Sequence, residues 1–373
     1  MSEKFEFRAV FNLSTIKYIA ANIHNIYPDF KKEQFIAETF EDFEELSFGD
    51  RNSKITKTLF HYLPKSYPEA LTILVASLGE PINGEELEGY DGFYVMPLST
   101  YIRNYGTAYY EISVNALIEM TTRFTSEFAI RLFLEQEEEK TLKQLQLCAT
   151  HKNCHVRRLV SEGTRPRLPL GSRLHSFIKD PQPVLELLER LKNEPTRLVQ
   201  RSIANNLNDI AKDNPDAVVS FLTRWQKEKV KDVEWIIKHA TRTLIKEGHP
   251  GALRLLGFDP DIKIGNASLK VMTPQVILGE HLVFEVVIDF KNSDPQKVVV
   301  DYLLYFKKAN GTLKPKVFKL STQEISANTL LKRSKKHPLK PATTRQYYEG
   351  LQAVQLQVNG RLVGEQVAFE LKL

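Results

Sequence analysis

The first two thirds of the chain carry apolar residues at the three- and four-residue spacing of amphipathic helices. In the segment 183–193, four leucines fall on one side of a helix and charged residues occupy the other side. The segment 216–228 repeats this pattern, and strand-like alternation is rare before Phe258. We therefore predict an all-helical domain over residues 1–258.

Beyond that point the period of the pattern changes from about four residues to two. Alternating apolar runs follow one another, and two Asn-Gly pairs, Asn310-Gly311 and Asn359-Gly360, lie between such runs. An Asn-Gly pair between alternating runs is typical of a two-residue β-hairpin turn. The sequence thus predicts a β-sandwich over residues 261–373, so that the fold class is a helical domain followed by a β domain.

The helical part repeats loosely. Val156-Arg157-Arg158 and Val199-Gln200-Arg201 are 43 residues apart, and Ile236-Ile237-Lys238 begins 37 residues after Val199. Helix pairs repeated at about 40 residues are typical of HEAT-like repeats, which stack into a curved α-solenoid with a long concave face. An irregular helical domain is the alternative, because the three units are degenerate.

Composition places the chain among soluble proteins of a reducing compartment. It has 373 residues, too many for one small core, and 42% of them are hydrophobic. No apolar run approaches the length of a membrane span, the first residues lack a secretory signal, and there are only two cysteines. We expect a cytoplasmic protein.

The net charge of +5 is unevenly distributed. From Asp261 onward there are 17 Lys and Arg against 10 Asp and Glu, whereas the preceding residues carry 34 against 36. This asymmetry indicates contact of the last third with a polyanion, either nucleic acid or an anionic membrane surface. A soluble domain with one lysine-rich face is an equally good interpretation of the charge alone.

The most unusual segment is 155–175, in which arginines surround one carboxylate, that of Glu162. The arginines are Arg157, Arg158, Arg165, Arg167 and Arg173. One glutamate cannot neutralise five guanidinium groups, so we expect some of them to face another anion. Phosphate is the natural candidate, because the planar guanidinium donates two parallel hydrogen bonds to it.

Two further acids stand at comparable places in the helical pattern. Glu127 lies in an otherwise apolar helix, and Asp209 lies one repeat beyond Glu162. Acids in apolar helical stretches are costly unless they are paired or functional. Each could equally cap a helix or pair with a nearby arginine.

Other chemistry finds little support. Cys148, His151, Cys154 and His155 are too closely spaced for a structural zinc site, so we expect no metal. Gly-rich phosphate loops, zinc-protease motifs and serine-hydrolase motifs do not occur, which disfavours nucleotide hydrolysis, zinc proteolysis and serine-hydrolase chemistry.

Three segments, 99–134, 151–170 and 201–215, resemble the AlkC-type branch of the HEAT-repeat DNA alkylation-repair glycosylases. The block RRLVSEGTRPRLP at 157–169 is the most specific part, and the resemblance covers most of residues 1–258. It implies a solenoid that binds duplex DNA on its concave face and an immunoglobulin-like C-terminal domain. It also implies excision of N3-alkylated bases, 3-methyladenine and 3-methylcytosine, without a base-flipping pocket.

Transferred to this chain, the acidic active-site positions of that family are Glu127, Glu162 and Asp209. The resemblance implies a monomeric, cofactor-free enzyme whose partner is double-stranded DNA with alkylated bases. Because we see no candidate lysine nucleophile beside the acids, we expect a monofunctional hydrolase.

DNA binding is expected from cations in both domains. In the β domain, the segment KRSKKHPLK at 332–340 is predicted to be a loop that its prolines keep out of the sheet. The predicted DNA-binding residues are Arg157, Arg158, Arg165, Arg167, Arg173, Arg201, Lys238, Lys332, Arg333, Lys335 and Lys336. The alternative function is a non-catalytic scaffold for nucleic acid or protein, in which the three acids would be scattered.

Overall fold

A computed structural model describes residues 6–82, 84–85, 91–341 and 346–373. The predicted order, a helical region followed by a β-sandwich, is confirmed. The described residues form two compact units: residues up to Asn214 with Trp225–Ala240 make the helical unit, and Pro215–Arg224 with Thr241–Leu373 make the second unit.

The described part of the chain contains sixteen α-helices. They are α1 Leu13–Ile26, α2 Lys32–Phe40, α3 Phe48–Tyr62, α4 Tyr67–Ala76, α5 Val95–Tyr105, α6 Tyr110–Thr121, α7 Glu127–Gln136, α8 Glu138–Cys148, α9 Cys154–Gly163, α10 His175–Lys179, α11 Gln182–Arg190, α12 Arg197–Ile210, α13 Pro215–Lys227, α14 Val233–Ala240, α15 Arg242–Glu247 and α16 Pro250–Leu255. None of these helices has the length and apolar character needed to cross a bilayer.

The helices that carry the repeated motif lie side by side in the helical unit. Helix α12 packs between α9 and α14, and α9 also packs against α7. The first residue of each motif, Val156, Val199 or Ile236, is buried in the core. The apolar first residue of the motif therefore anchors each of these helices in the core.

The second unit contains a sandwich of two sheets. Its strands are β1 Ile264–Val271, β2 Gln275–Ile277, β3 His281–Phe290, β4 Gln296–Lys307, β5 Leu313–Ile325, β6 Leu330–Pro338, β7 Gly350–Val358 and β8 Arg361–Lys372. One sheet has the order β1-β3-β6 and the other β2-β8-β7-β4-β5; β2 and β8 are parallel, whereas the other neighbours are antiparallel.

Both Asn-Gly pairs lie in hairpins, but only Asn359-Gly360 forms the predicted two-residue turn. The connection that contains Asn310-Gly311 is longer, since the N–H of Lys308 donates to the carbonyl of Thr312. Asn359 and Gly360 join β7 to β8 with φ angles of 44° and 77°, the left-handed region that a two-residue turn requires. Asn310 and Gly311 lie between the paired strands β4 and β5. Gly360 is also required sterically, because a Cβ atom there would lie 1.9 Å from the Cα atom of Gly248, which follows α15.

The segment 332–340 is not the loop that the sequence predicted. Residues Leu330–Pro338 form strand β6, which pairs with β3 and is an edge strand. Arg333 and Lys335 lie opposite Val286 and Phe284, which are core residues of β3. Charged residues therefore occupy positions of β6 at which a strand normally has apolar residues, so the sequence of β6 lacks the alternation of apolar and polar residues. Edge strands tolerate such charges and a terminal proline, and the charges oppose pairing with another chain.

One acid of the second unit is buried without a hydrogen-bond partner among the described residues. Asp301 of β4 lies opposite Lys319 and Gln357 in the neighbouring strands and is 3% exposed. Burial raises the pKa of Asp301 to about 6, although the positive charges of Lys319 and Lys246 act in the opposite direction. This carboxyl group therefore destabilises the fold when it is ionised.

We predict that D301N stabilises the second unit at neutral pH. Because the pKa of Asp301 is raised in the folded state, its favourable contribution is present at low pH and is lost as the pH rises through about 6. A shift of this size corresponds to roughly 2–3 kcal/mol.

Chemical denaturation should show D301N more stable than the parent at pH 7.5 and similar to it at pH 4. D261N, which alters a largely exposed acid of the same unit, should change little at either pH. Loss of stability by D301N at pH 7.5 would contradict this interpretation.

Candidate active site

Helix α9 brings Glu162 to the junction of three helices. The Asn153 side chain accepts a hydrogen bond from the backbone N–H of His155 and thereby caps the start of α9. At its other end, a Cβ atom on Gly163 would lie 2.8 Å from the side chain of Ile130, so the helix approaches α7 too closely for a larger residue. Glu162, the residue before this contact, is 5% exposed.

Arg165 joins two of the predicted acids. Its Nη1 atom donates to Oε1 of Glu162 at 2.6 Å, and its Nε atom donates to Oδ2 of Asp209 at 2.7 Å. The hydroxyl group of Ser202 donates to the other Glu162 oxygen at 2.5 Å, and Lys212 Nζ donates to Asp209 Oδ1 at 2.8 Å. One guanidinium thus joins its neighbour Glu162 to Asp209, which lies 44 positions after Arg165 in the sequence.

Arg158 connects the third acid to the same group. Its Nη1 atom lies 2.9 Å from Oε2 of Glu127, and its Nη2 atom lies 3.7 Å from Oε1 of Glu162. The Thr125 hydroxyl also donates to Glu127 at 2.8 Å. The structure therefore brings Glu127, Glu162 and Asp209 together, and these three residues are called the acid cluster below.

The charges of the acid cluster are balanced from within the protein. Burial of the Arg165 guanidinium opposes its charge, but the carboxylates of Glu162 and Asp209 outweigh this effect and raise its pKa. Arg165 is therefore a permanent cation between two buried carboxylates. Such a network is rigid, because moving one member leaves another buried charge unpaired.

Four of the five arginines of this segment pair with carboxylates, and for each of them at least one partner is an acid other than Glu162. Besides Arg158 and Arg165, Arg157 forms a two-point pair with Glu194 at 2.7 and 2.8 Å, and Arg167 forms one with Asp213 at 2.6 Å for both contacts. Glu194 and Asp213 lie 37 and 46 residues beyond their arginines in the sequence. A comparison of charges within the segment 155–175 therefore does not include them.

Three predicted DNA-binding residues of the helical unit are exposed, and no ion pair joins them to another described residue. They are Arg173, Arg201 and Lys238. In strand β6, Lys332, Arg333 and Lys336 are exposed and Lys335 is half-buried. The Arg333 guanidinium donates to the side chain of Gln323 in β5 at 3.0 Å.

Several site residues were not found from the sequence. Ser202 contacts Glu162, and Asn206 donates to the Ser161 carbonyl at 2.7 Å. The spacing of Ser202, Asn206 and Asp209 puts them on one face of α12, a polar stripe that could have identified them. A lysine also lies beside the acids, because Lys212 forms an ion pair with Asp209.

The cysteine and histidine group has an ordinary structural environment. Cys148 is buried, which raises the pKa of its thiol to about 11, and His155 is also buried. Among the described residues, no group of three or more histidine, cysteine or acidic side chains has the arrangement of a metal site.

Two family models match this chain in separate segments. The family model described as "DNA alkylation repair enzyme" matches residues 120–246, and the C-terminal Ig-like domain of the uncharacterised protein YhaZ matches residues 266–373. YhaZ of Bacillus subtilis (strain 168) is 36% identical over 96% of this chain and 97% of its own length. The alkylpurine DNA glycosylase AlkC of Pseudomonas fluorescens, solved with DNA containing an abasic-site analogue, is 34% identical with a TM-score of 0.88, and the match covers 98% of this chain and 99% of that one. The chain belongs to the AlkC-type family of DNA alkylation-repair enzymes.

We predict that R165M destabilises the helical unit strongly. Methionine keeps the packing volume but leaves the carboxylates of Glu162 and Asp209 without their shared cation, which should cost about 3 kcal/mol. R167M is the matched control, because Arg167 forms an equally short pair that is partly exposed, and its loss should cost less than about 1 kcal/mol. Urea denaturation followed by helical circular dichroism measures both. If both substitutions lowered the free energy of unfolding equally, the buried ion pairs of Arg165 would contribute no more to stability than the partly exposed pair of Arg167.

Proposed function

We propose that the protein is a DNA glycosylase that hydrolyses the N-glycosidic bond of cationic alkylated bases, 3-methyladenine and 3-methylcytosine, in duplex DNA. The observation that carries this proposal is the acid cluster, in which three carboxylates from α7, α9 and α12 meet around two arginines. In a non-catalytic scaffold we would expect the three acids at scattered positions, whereas here they lie together. The family relationship supports the same activity, since the AlkC structure contains DNA with an abasic-site analogue.

The chemistry requires little acid catalysis. An N3-alkylated base carries a positive charge and leaves as a neutral molecule, so the bond breaks toward an oxocarbenium-like sugar. Fixed carboxylates stabilise that developing cation and can orient the attacking water, as they do in glycoside hydrolysis. Glu162 and Asp209 are the proposed flanking acids, and Glu127 shapes the same site. Their ion pairs hold them in place before the substrate arrives, which lowers the reorganisation needed during reaction.

We propose a monofunctional enzyme that needs no cofactor and has no base-flipping pocket. A lysine that attacks the sugar must be a neutral amine, whereas Lys212 is held in an ion pair with Asp209. Borohydride should therefore trap no covalent adduct between the protein and alkylated DNA.

The proposed DNA contacts come from the exposed cations. Since Arg157, Arg158, Arg165 and Arg167 each have a carboxylate partner, we restrict the proposed phosphate contacts in the helical unit to Arg173, Arg201 and Lys238. The helical unit would act as a HEAT-like solenoid whose concave face follows the duplex. The edge strand β6 adds Lys332, Arg333, Lys335 and Lys336. We propose that the enzyme acts as a cytoplasmic monomer.

We predict that E162Q and D209N each lower the rate of 3-methyladenine release at least about 100-fold. Each substitution keeps the shape of the side chain but removes a charge that stabilises the transition state, and the loss of one such contact typically has this effect. E194Q is the matched control: Glu194 is also 5% exposed and paired with an arginine, but it lies outside the acid cluster. Single-turnover assays with identified products, together with melting curves, separate catalysis from folding. Parental rates in both E162Q and D209N would exclude the catalytic assignment.

We predict that K332Q/K336Q weakens binding to an abasic-analogue duplex and makes it less sensitive to salt. Each lost phosphate contact should lower the slope of log affinity against log salt by about 0.9, so the double variant should lose about two units. The control K263Q/K270Q removes two exposed lysines at or beside β1, the opposite edge of the same sheet, and should keep the parental slope. An unchanged slope in K332Q/K336Q would remove β6 from the proposed DNA interface.

A further inference from the structure

The hydroxyl group of Ser202 makes an unusual hydrogen bond for a buried hydroxyl of a helix. Such groups commonly donate to the carbonyl four residues earlier in their own helix, as those of Thr56 in α3 and Thr121 in α6 do here. Ser202 of α12 instead donates to Oε2 of Glu162 in α9. At 2.5 Å this is a short contact between two buried side chains. The single proton of this hydroxyl is therefore committed to the acid cluster.

The two carboxylate oxygens of Glu162 have different partners. Both arginines approach Oε1, with Arg165 Nη1 at 2.6 Å and Arg158 Nη2 at 3.7 Å. Among the described residues, only Ser202 donates to Oε2. The last torsion of a glutamate side chain is soft, so partners on one oxygen alone leave the carboxylate able to turn. The donor on the second oxygen fixes the plane of the carboxylate.

The packing of α9 on α12 does not depend on the Ser202 hydroxyl. Asn206, one turn further along α12, donates to the Ser161 carbonyl at 2.7 Å and to the Thr164 hydroxyl at 3.2 Å. These bonds hold the end of α9 against α12 whether or not residue 202 has a hydroxyl. Removing that hydroxyl should therefore release the carboxylate of Glu162 and leave the two helices in place.

We propose that Ser202 is a positioning residue, which holds the carboxylate of Glu162 in the orientation that stabilises the cationic deoxyribose. This inference rests on the proposed glycosylase function. Ser202 does not need to contact the DNA, because it acts through Glu162. A carboxylate that is oriented before the bond breaks contributes its full electrostatic stabilisation, whereas one that turns freely must first be ordered. The Ser202 hydroxyl therefore increases the rate of the chemical step and has little effect on DNA binding.

Ser161 provides a closely matched control. It precedes Glu162 in α9, it is also buried, and its hydroxyl has no hydrogen-bond partner among the described residues. We expect S202A to release 3-methyladenine at least about ten times more slowly than the parent in single-turnover assays. S202C, which fills the space but donates only weakly, should be slow as well. S161A should keep the parental rate, and all three variants should bind an abasic-analogue duplex as tightly as the parent.

A double-mutant cycle separates positioning from a general structural effect. E162Q lacks the carboxylate, so S202A should cause almost no further loss of rate in the E162Q/S202A double variant. A loss of about tenfold in both backgrounds would show that Ser202 acts by another route, and would overturn the proposal. Equal rates of S202A and S161A, when the parental protein does release methylated base, would overturn it too. If the parental protein releases none, the proposed glycosylase function itself fails, and the positioning role fails with it.

Discussion

The ion-pair bridge of Arg165 is the interaction on which the site depends. One buried guanidinium holds the carboxylate at the end of α9 and the carboxylate at the end of α12, so two successive repeats are registered against each other through charge as well as packing. Without this cation, Glu162 and Asp209 would be two buried anions with only Arg158 and Lys212 to balance them. The arginine-rich segment therefore has an internal role before any contact with DNA is considered.

This arrangement divides the basic residues into two groups with different tasks. The buried arginines organise acids inside the helical unit, whereas the exposed cations, among them Arg201 and Lys336, remain available to an external polyanion. Arg131 also belongs to the buried arginines with an internal role, because it donates hydrogen bonds to the backbone carbonyls of Gly163 and Arg165 at the end of α9 and in the loop that follows it. A position in this family thus cannot be assigned to phosphate binding from residue type alone.

Local sequence patterns predict the helices and most strands of this chain, but they do not predict which side chains form ion pairs with each other. Helical periodicity and the Asn359-Gly360 turn predicted the helical region and the hairpin, because both depend on neighbouring residues. Repeat spacing and family resemblance identify the three acids, but they do not reveal that Arg167 pairs with Asp213 across 46 residues. Strand β6 was missed because its inward positions include Arg333 and Lys335, which erase the apolar alternation at a sheet edge.

We propose that the acid cluster stabilises a positive charge on the deoxyribose ring. The most direct measurement compares the affinity of the protein for two duplexes, one with a cationic pyrrolidine in place of the damaged nucleotide and one with the neutral tetrahydrofuran analogue. We expect the cationic analogue to bind at least about ten times more tightly, and this preference to disappear in the E162Q/D209N double variant. Equal affinities of the parental protein for the two duplexes would contradict it.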